Sequence, residues 1–206
     1  MKTTFALLIL FLSTLTTFAQ ETQYGLKAGA NYSNHTGDTF IFEYDAKVGF
    51  YAGGFVNIPI NQNFKIQPEL LFSLQGTKYT SGLEMNSSQG DPISGDFVSR
   101  VNEFTLVLPV MAQYYITNSF YMEAGPQLDF IIDRTDEVIE TPINDNNFNN
   151  VNVSNYDKFE LGLAAGLGYD LTKNLILNVR YFHGVTARDF REVRSSVFYL
   201  GLNYKL

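Results

Sequence analysis

The chain has no cysteine, no tryptophan, only two histidines and only six prolines in 206 residues. Without cysteine there is no disulfide staple, no thiol nucleophile and no cysteine metal site. Charge is sparse as well, at 17% of residues, and 21 acidic against 14 basic side chains leave a formal net charge of −7. An acidic chain of this kind lacks the basic patches that bind phosphate backbones, which argues against nucleic acid as a partner. Long apolar runs are missing too. Beyond residue 20 none approaches the roughly 20 residues a helix needs to cross a bilayer. If the exported chain resides in a membrane, it must do so as a closed barrel, which leaves no backbone polar group unpaired in lipid.

Aromatic residues are what the chain has in quantity, with 13 Tyr and 18 Phe. They suit strands and the girdles of a membrane barrel. Residues 1–19 read as a secretory signal: Lys2 is the positive start, 5–15 a short apolar stretch, and Thr17-Phe18-Ala19 a small-x-small cleavage site. The mature chain then begins at Gln20, and 20–206 is expected to form one domain.

The stretch 103–132 shows the organising pattern. Phe104, Leu106, Leu108, Val110, Ala112 and Tyr114 alternate with polar positions. The same parity resumes at Phe120, Met122, Ala124, Pro126, Leu128 and Phe130. A period of two places the apolar side chains on one face of each strand. Similar alternation over 24–34, 46–58, 64–74, 158–169, 175–183 and 196–206 brings the expected number of strands to about eight. The connections alternate between tight turns near 59–63, 116–119 and 170–174 and longer loops, among them 81–99 and the Asn/Asp-rich 133–156, expected to be mobile. Tight turns on one side and long loops on the other mark an outer-membrane barrel. The expected fold is all-β, an eight-stranded antiparallel up-and-down transmembrane β-barrel, with both termini in the periplasm.

A soluble sandwich also alternates, and is the competing reading. What favours the barrel is the segregation of charge, because a lysine or arginine facing lipid at mid-membrane costs roughly 2 to 4 kcal/mol. Lys27, Lys47, Lys65, Glu69, Glu103, Glu123, Asp129, Glu160, Arg180 and Lys205 all fall on the face opposite the apolar one. An eight-stranded interior is just wide enough to be filled by side chains, and buried charges need partners. Lys27, Lys47 and Arg180 are therefore expected to engage Glu69, Glu103, Glu123, Asp129 and Glu160 in an interior polar network.

Three segments resemble the small outer-membrane barrels known as PorT-like or porin-family proteins: Glu103-Phe104-Thr105-Leu106-Val107-Leu108-Pro109, Tyr121-Met122-Glu123-Ala124-Gly125-Pro126, and Leu161-Gly162-Leu163-Ala164-Ala165-Gly166-Leu167-Gly168-Tyr169. The closing Tyr199-Leu200-Gly201-Leu202-Asn203-Tyr204-Lys205-Leu206 is similar to the final strand of that family. The resemblance covers nearly all of the mature chain. It implies a barrel of the Gram-negative outer membrane and names no ligand.

Arg188, Arg191 and Arg194 recur every third residue and are candidate contacts for lipopolysaccharide phosphates, since guanidinium groups bind phosphate through two parallel hydrogen bonds. Pairing with nearby carboxylates is the competing reading. A lipid-processing hydrolase could use His183 with a nearby serine such as Ser195 or Ser196 and a carboxylate, and a rim histidine explains His183 more simply. His35, expected in a polar loop, makes no metal site alone. The expected function is non-enzymatic, structural or surface-binding, with a mostly filled interior and no cofactor. The expected partners are outer-membrane lipid, lipopolysaccharide and the barrel-assembly machinery. A narrow pore or secretion-linked accessory barrel, and a lipid-modifying barrel enzyme, are the alternatives.

Overall fold

The computed structural model describes residues 22–36, 43–86, 92–140, 157–188 and 193–206. The expected signal segment 1–19 lies outside them. Eight strands follow in chain order: β1 Gln23–Thr36, β2 Glu43–Pro59, β3 Phe64–Asn86, β4 Pro92–Tyr115, β5 Phe120–Glu140, β6 Phe159–Asp170, β7 Leu175–Gly184 and β8 Arg194–Lys205. Each pairs antiparallel with its neighbour in sequence, and β8 returns to β1 to close the barrel. Closure runs from Gly25↔Lys205 to Thr36↔Arg194, so neither terminal strand is left with an open edge along this register.

The three tight turns are built alike, and their sequences explain why. Asn61 Oδ1 accepts from the amides of Asn63 and Phe64, each at 2.9 Å. Thr117 Oγ1 accepts from Ser119 and Phe120, and Thr172 Oγ1 from Asn174 and Leu175. A short polar side chain that bonds the backbone two and three residues on is what favours Asn and Thr in such turns. All three turns lie at one end of the barrel, together with Gln23 and Lys205; Leu206 N donates to Tyr24 O at 2.9 Å there. This is the turn end; the other is the loop end.

The two faces of the wall are inverted relative to a soluble protein. Phe50 is 65% exposed on the outside, whereas Lys27 and Arg180 are each 2% exposed inside. An apolar surface encircling the molecule needs an apolar solvent, which rules out the sandwich reading. Inside, Tyr51, Leu71, Val107, Met111, Phe182 and Tyr199 belong to one packed cluster, and Tyr115, Tyr121 and Ile176 to a second. Glycine makes room for these rings: a Cβ on Gly168 would collide with the Tyr121 ring.

The strands differ in length from expectation on one side. β3, β4 and β5 have 23, 24 and 21 residues, against 12, 10 and 12 for β6, β7 and β8. Much of the expected loop 81–99 is instead ladder, since β3 and β4 pair out to Asn86↔Pro92. Residues 133–140, expected as loop, continue β5 and pair with β4 up to Val98↔Glu140. A tall wall therefore rises on one side of the loop end. Within it the register shifts, with Thr105 opposite Ile131 and Phe104 opposite Asp133, so Ile132 is an extra residue on β5. Such a bulge reverses which parity faces inward.

Candidate functional site

The inward face carries two layers of polar side chains. The lower one centres on Glu69 of β3, which takes both arms of the Arg180 guanidinium, Nη1 to Oε2 at 2.8 Å and Nη2 to Oε1 at 2.7 Å. Lys27 Nζ reaches the same carboxylate at 3.2 and 3.3 Å. Arg180 Nε donates in turn to Glu123 Oε1 at 2.8 Å. Two cations thus meet two carboxylates across the lumen, drawn from β1, β3, β5 and β7.

Amides complete this layer. Gln67 Nε2 donates to Glu69 at 2.7 Å, and Gln113 and Asn178 donate to Glu123. Asn57 Nδ2 bridges the Gln67 and Gln113 carbonyls at 2.8 Å each. Fork-shaped, charge-assisted bonds of this kind are strong and geometrically specific. Between Lys27, Tyr51, Leu71, Gln127, Arg180 and Tyr199 no volume remains for a water molecule. Below the amides, at the turn end, a polar cleft of about 460 Å³ opens between Thr22, Gln23, Asn57, Asn61, Gln62 and Lys65.

The upper layer is organised by Arg188, and here several expectations need correction. Arg188 is no exposed lipid contact: it is 4% exposed, and its Nη2 donates to Glu103 at 2.7 Å. Its Nη1 donates to Ser195 Oγ at 2.7 Å and lies 3.1 Å from His35 Nε2, while its Nε sits 3.5 Å from Glu160. Arg188 N donates to Val193 O at 2.9 Å, just before β8, and the Arg188 side chain is buried among the lumen residues. His35 is therefore a buried strand residue, not a loop residue. Arg194 occupies the outward row of β8, on the other side of the wall from the Arg188 guanidinium, so the three-residue spacing does not make one patch. Arg191 lies outside the described residues.

Partner choice differs from expectation elsewhere too. Lys47 donates to the Asn102 amide oxygen and not to a carboxylate. Glu103 meets Arg188 and, at 3.6 Å, Arg134, neither of which had been assigned to the interior. Asp129 accepts from Gln127 at 2.8 Å and makes no ion pair among the described residues. Glu160 accepts from the Ser195 amide at 2.7 Å. Arg134 and Asp136 face inward because the Ile132 bulge reverses the parity; that shift, invisible to a simple period of two, is why they were missed.

His183 and the two serines do not assemble a nucleophile. Ser195 points inward to Arg188, whereas Ser196 Oγ lies 3.2 Å from His183 Nδ1 and from the Tyr181 hydroxyl on the outer wall. Neither His183 nor Ser196 has a carboxylate partner among the described residues.

Residues 18–187 match the family described as outer membrane protein beta-barrel domain. No curated protein matches the chain. Among solved structures it is similar to Neisserial surface protein A (15% identity, 89% of this chain and 97% of that one, TM-score 0.48). It is also similar to Ail, the attachment invasion locus protein of Yersinia pestis (12% identity, 91% and 100%, TM-score 0.46). A third likeness is to the outer membrane protease OmpT from Escherichia coli (9% identity, 90% and 96%, TM-score 0.39). With a closed ring of eight strands, a greasy outside, a charged inside and a family match across most of its length, the chain belongs to the outer membrane protein beta-barrel domain family.

Proposed function

We propose that this outer-membrane barrel is non-enzymatic, that its interior is a plug and not a channel, and that it acts through its wall and its loop-end surface. The observation that carries this reading is the Lys27, Glu69, Arg180 and Glu123 quartet. It lies across the lumen above a layer of bonded amides, and the gap between Lys27, Arg180 and the Tyr51 and Tyr199 rings beside it has no room for water. A solute crossing the barrel would have to break several charge-assisted bonds in a low-dielectric interior, where leaving one partner unpaired is costly. Planar-bilayer recording is the test. A wild-type protein that gives no steady openings fits the plug; steady openings of uniform size sink it.

In the same reading residues 1–19 are removed, the mature domain is 20–206, and the turn end with both termini faces the periplasm. Engagement by the barrel-assembly machinery belongs to this reading as well. The short turns at one end and the long wall at the other support that orientation, because outer-membrane barrels keep their short turns on the periplasmic side. The mass of protein recovered from outer membranes tests the processing: a mature chain beginning elsewhere than Gln20 contradicts it. One observation favours a narrow pore instead. The turn-end cleft and the upper charged layer are polar, and the quartet and its amides lie between them. Openings that appear only when Glu69 or Arg180 is substituted would assign the quartet as a removable barrier.

A further inference from the structure

The outward face is apolar at mid-height and turns polar toward the loop end, with Thr36 on β1 and Arg100 and Glu137 on β4 and β5 outside the wall. On β8 the outward row climbs through Tyr204, Leu202, Leu200 and Phe198, then changes character at Ser196 and Arg194. Opposite Ser196 on β7 stands His183, also outward, and beside it Tyr181. On β6, by contrast, the residue paired with His183 is Leu163, 63% exposed. The polar notch therefore stops at β6 but runs on to β1, where Thr36 stands opposite Arg194 and its Oγ1 donates to Arg194 O at 3.3 Å.

Height identifies what the notch meets. Ser196 lies eight positions from Tyr204 on β8. At about 3.4 Å per residue and a tilt near 40°, that separation is roughly 20 Å along the barrel axis, close to the edge of an apolar band about 25 Å tall. Arg194 is one further outward position up. Charged side chains on the lipid face are tolerated there, because their penalty fades toward the interface.

We propose that Arg194, His183 and Ser196 form a docking site on the outer wall for the phosphate-bearing saccharide headgroup of an outer-leaflet lipid. The proposal rests on the orientation argued above, with the turn end periplasmic. The chemistry is complementary. Arg194 has no carboxylate partner among the described residues; its Nε is buried without an acceptor, so a phosphate would be met by the two terminal nitrogens of the guanidinium. A guanidinium near the membrane edge is a natural phosphate partner, binding through two parallel hydrogen bonds. Ser196 Oγ accepts from the Tyr181 hydroxyl and can donate to His183 Nδ1, both at 3.2 Å. In that arrangement the proton of the neutral imidazole sits on Nε2, a donor on the far side of the ring for a phosphate or sugar oxygen. Tyr181 holds the ring in place: the two planes lie 13° apart, with centroids 6.5 Å apart.

The test uses the full barrel, refolded into nanodiscs doped with bisphosphorylated lipid A, dephosphorylated lipid A or phosphatidylglycerol, with bound lipid counted by native mass spectrometry. Wild type should retain the phosphorylated glycolipid over the other two. Arg194→Gln should lower that retention roughly tenfold, the weight of a charge-assisted contact. His183→Leu, which keeps the apolar wall intact, should lower it several-fold. Equal retention of phosphorylated and dephosphorylated lipid A overturns the proposal, and so does retention unchanged in both variants. Equal retention of phosphatidylglycerol removes the saccharide from it. A heat-modifiable band on unboiled gels, checked for every protein, separates these outcomes from failure of the barrel reading, in which wild type itself would show no such band.

Discussion

At the scale of single residues, the lower quartet is a case in which removal of one partner matters more than the presence of the pair. Glu69 faces both Arg180 and Lys27, while the Arg180 fork also serves Glu123. Arg180→Gln therefore strips two buried carboxylates of their shared guanidinium, and a loss of about 3 to 5 kcal/mol is expected. Lys27→Met leaves Glu69 its two bonds from Arg180 and should cost clearly less. Urea midpoints of the barrel folded in lipid vesicles compare the two; equal losses would mean the fork has no special weight. Lys47 is a useful contrast. It is half-buried and bonded to an amide, so Lys47→Ala should cost no more than about 1 kcal/mol. Arg188→Gln belongs with Arg180, because Glu103 and Glu160 both lie against that guanidinium inside the barrel. It should lower the urea midpoint while leaving lipid retention on the outer wall untouched. A surface arginine would show the reverse.

At the scale of elements, close packing between strands explains where substitution is forbidden. Gly168 on β6 faces the Tyr121 ring, and any side chain there must displace it. Gly168→Val should cost roughly 1 to 3 kcal/mol by overpacking, read as a lower unfolding midpoint. Adding Tyr121→Ala should recover part of that loss, and no recovery would show that the clash is not the cause. The strands themselves were legible because lipid outside and charge inside impose a period of two wherever the wall crosses the membrane. Their outer ends were not legible, for a physical reason. Above the membrane the outside of the wall need not be apolar, so Asp133, Arg134, Asp136 and Glu137 carry no alternation although they are strand. The Ile132 bulge then reverses the parity that any reading of faces relies on. Lys27, Glu69, Glu123 and Arg180 could be assigned to the interior from parity alone. Arg188 could not, because it lies beyond the end of β7, where no strand parity sets the direction of its side chain. At Gly76 the backbone adopts φ 153° beside the β2 register shift, a local conformation that the alternation of neighbouring residues does not announce.

For the whole molecule, the decisive property is that the solvent outside the wall is lipid. Leu200 makes this testable with one side chain. It lies on the outward row of β8 between Tyr204 and Ser196, is 48% exposed, and pairs with Val179 and Ala30 on the flanking strands. On a soluble protein an exposed leucine can become arginine at little cost, usually within about 0.5 kcal/mol. In a barrel whose mid-height faces hydrocarbon, the same change should cost about 2 to 4 kcal/mol, because the guanidinium must be held in lipid or drag water to it. Moving the substitution two steps up the same row, to Ser196→Arg, should cost about 0 to 1 kcal/mol, since the penalty fades at the interface. The comparison is made by urea unfolding in vesicles, with band shift on unboiled gels as the measure of folded barrel. A steep fall from Leu200→Arg to Ser196→Arg maps the outer edge of the membrane onto β8 and sets Arg194 at headgroup level. Equal and negligible costs at both positions would place β8 in water, and the apolar belt would then need a protein partner and not a bilayer to cover it.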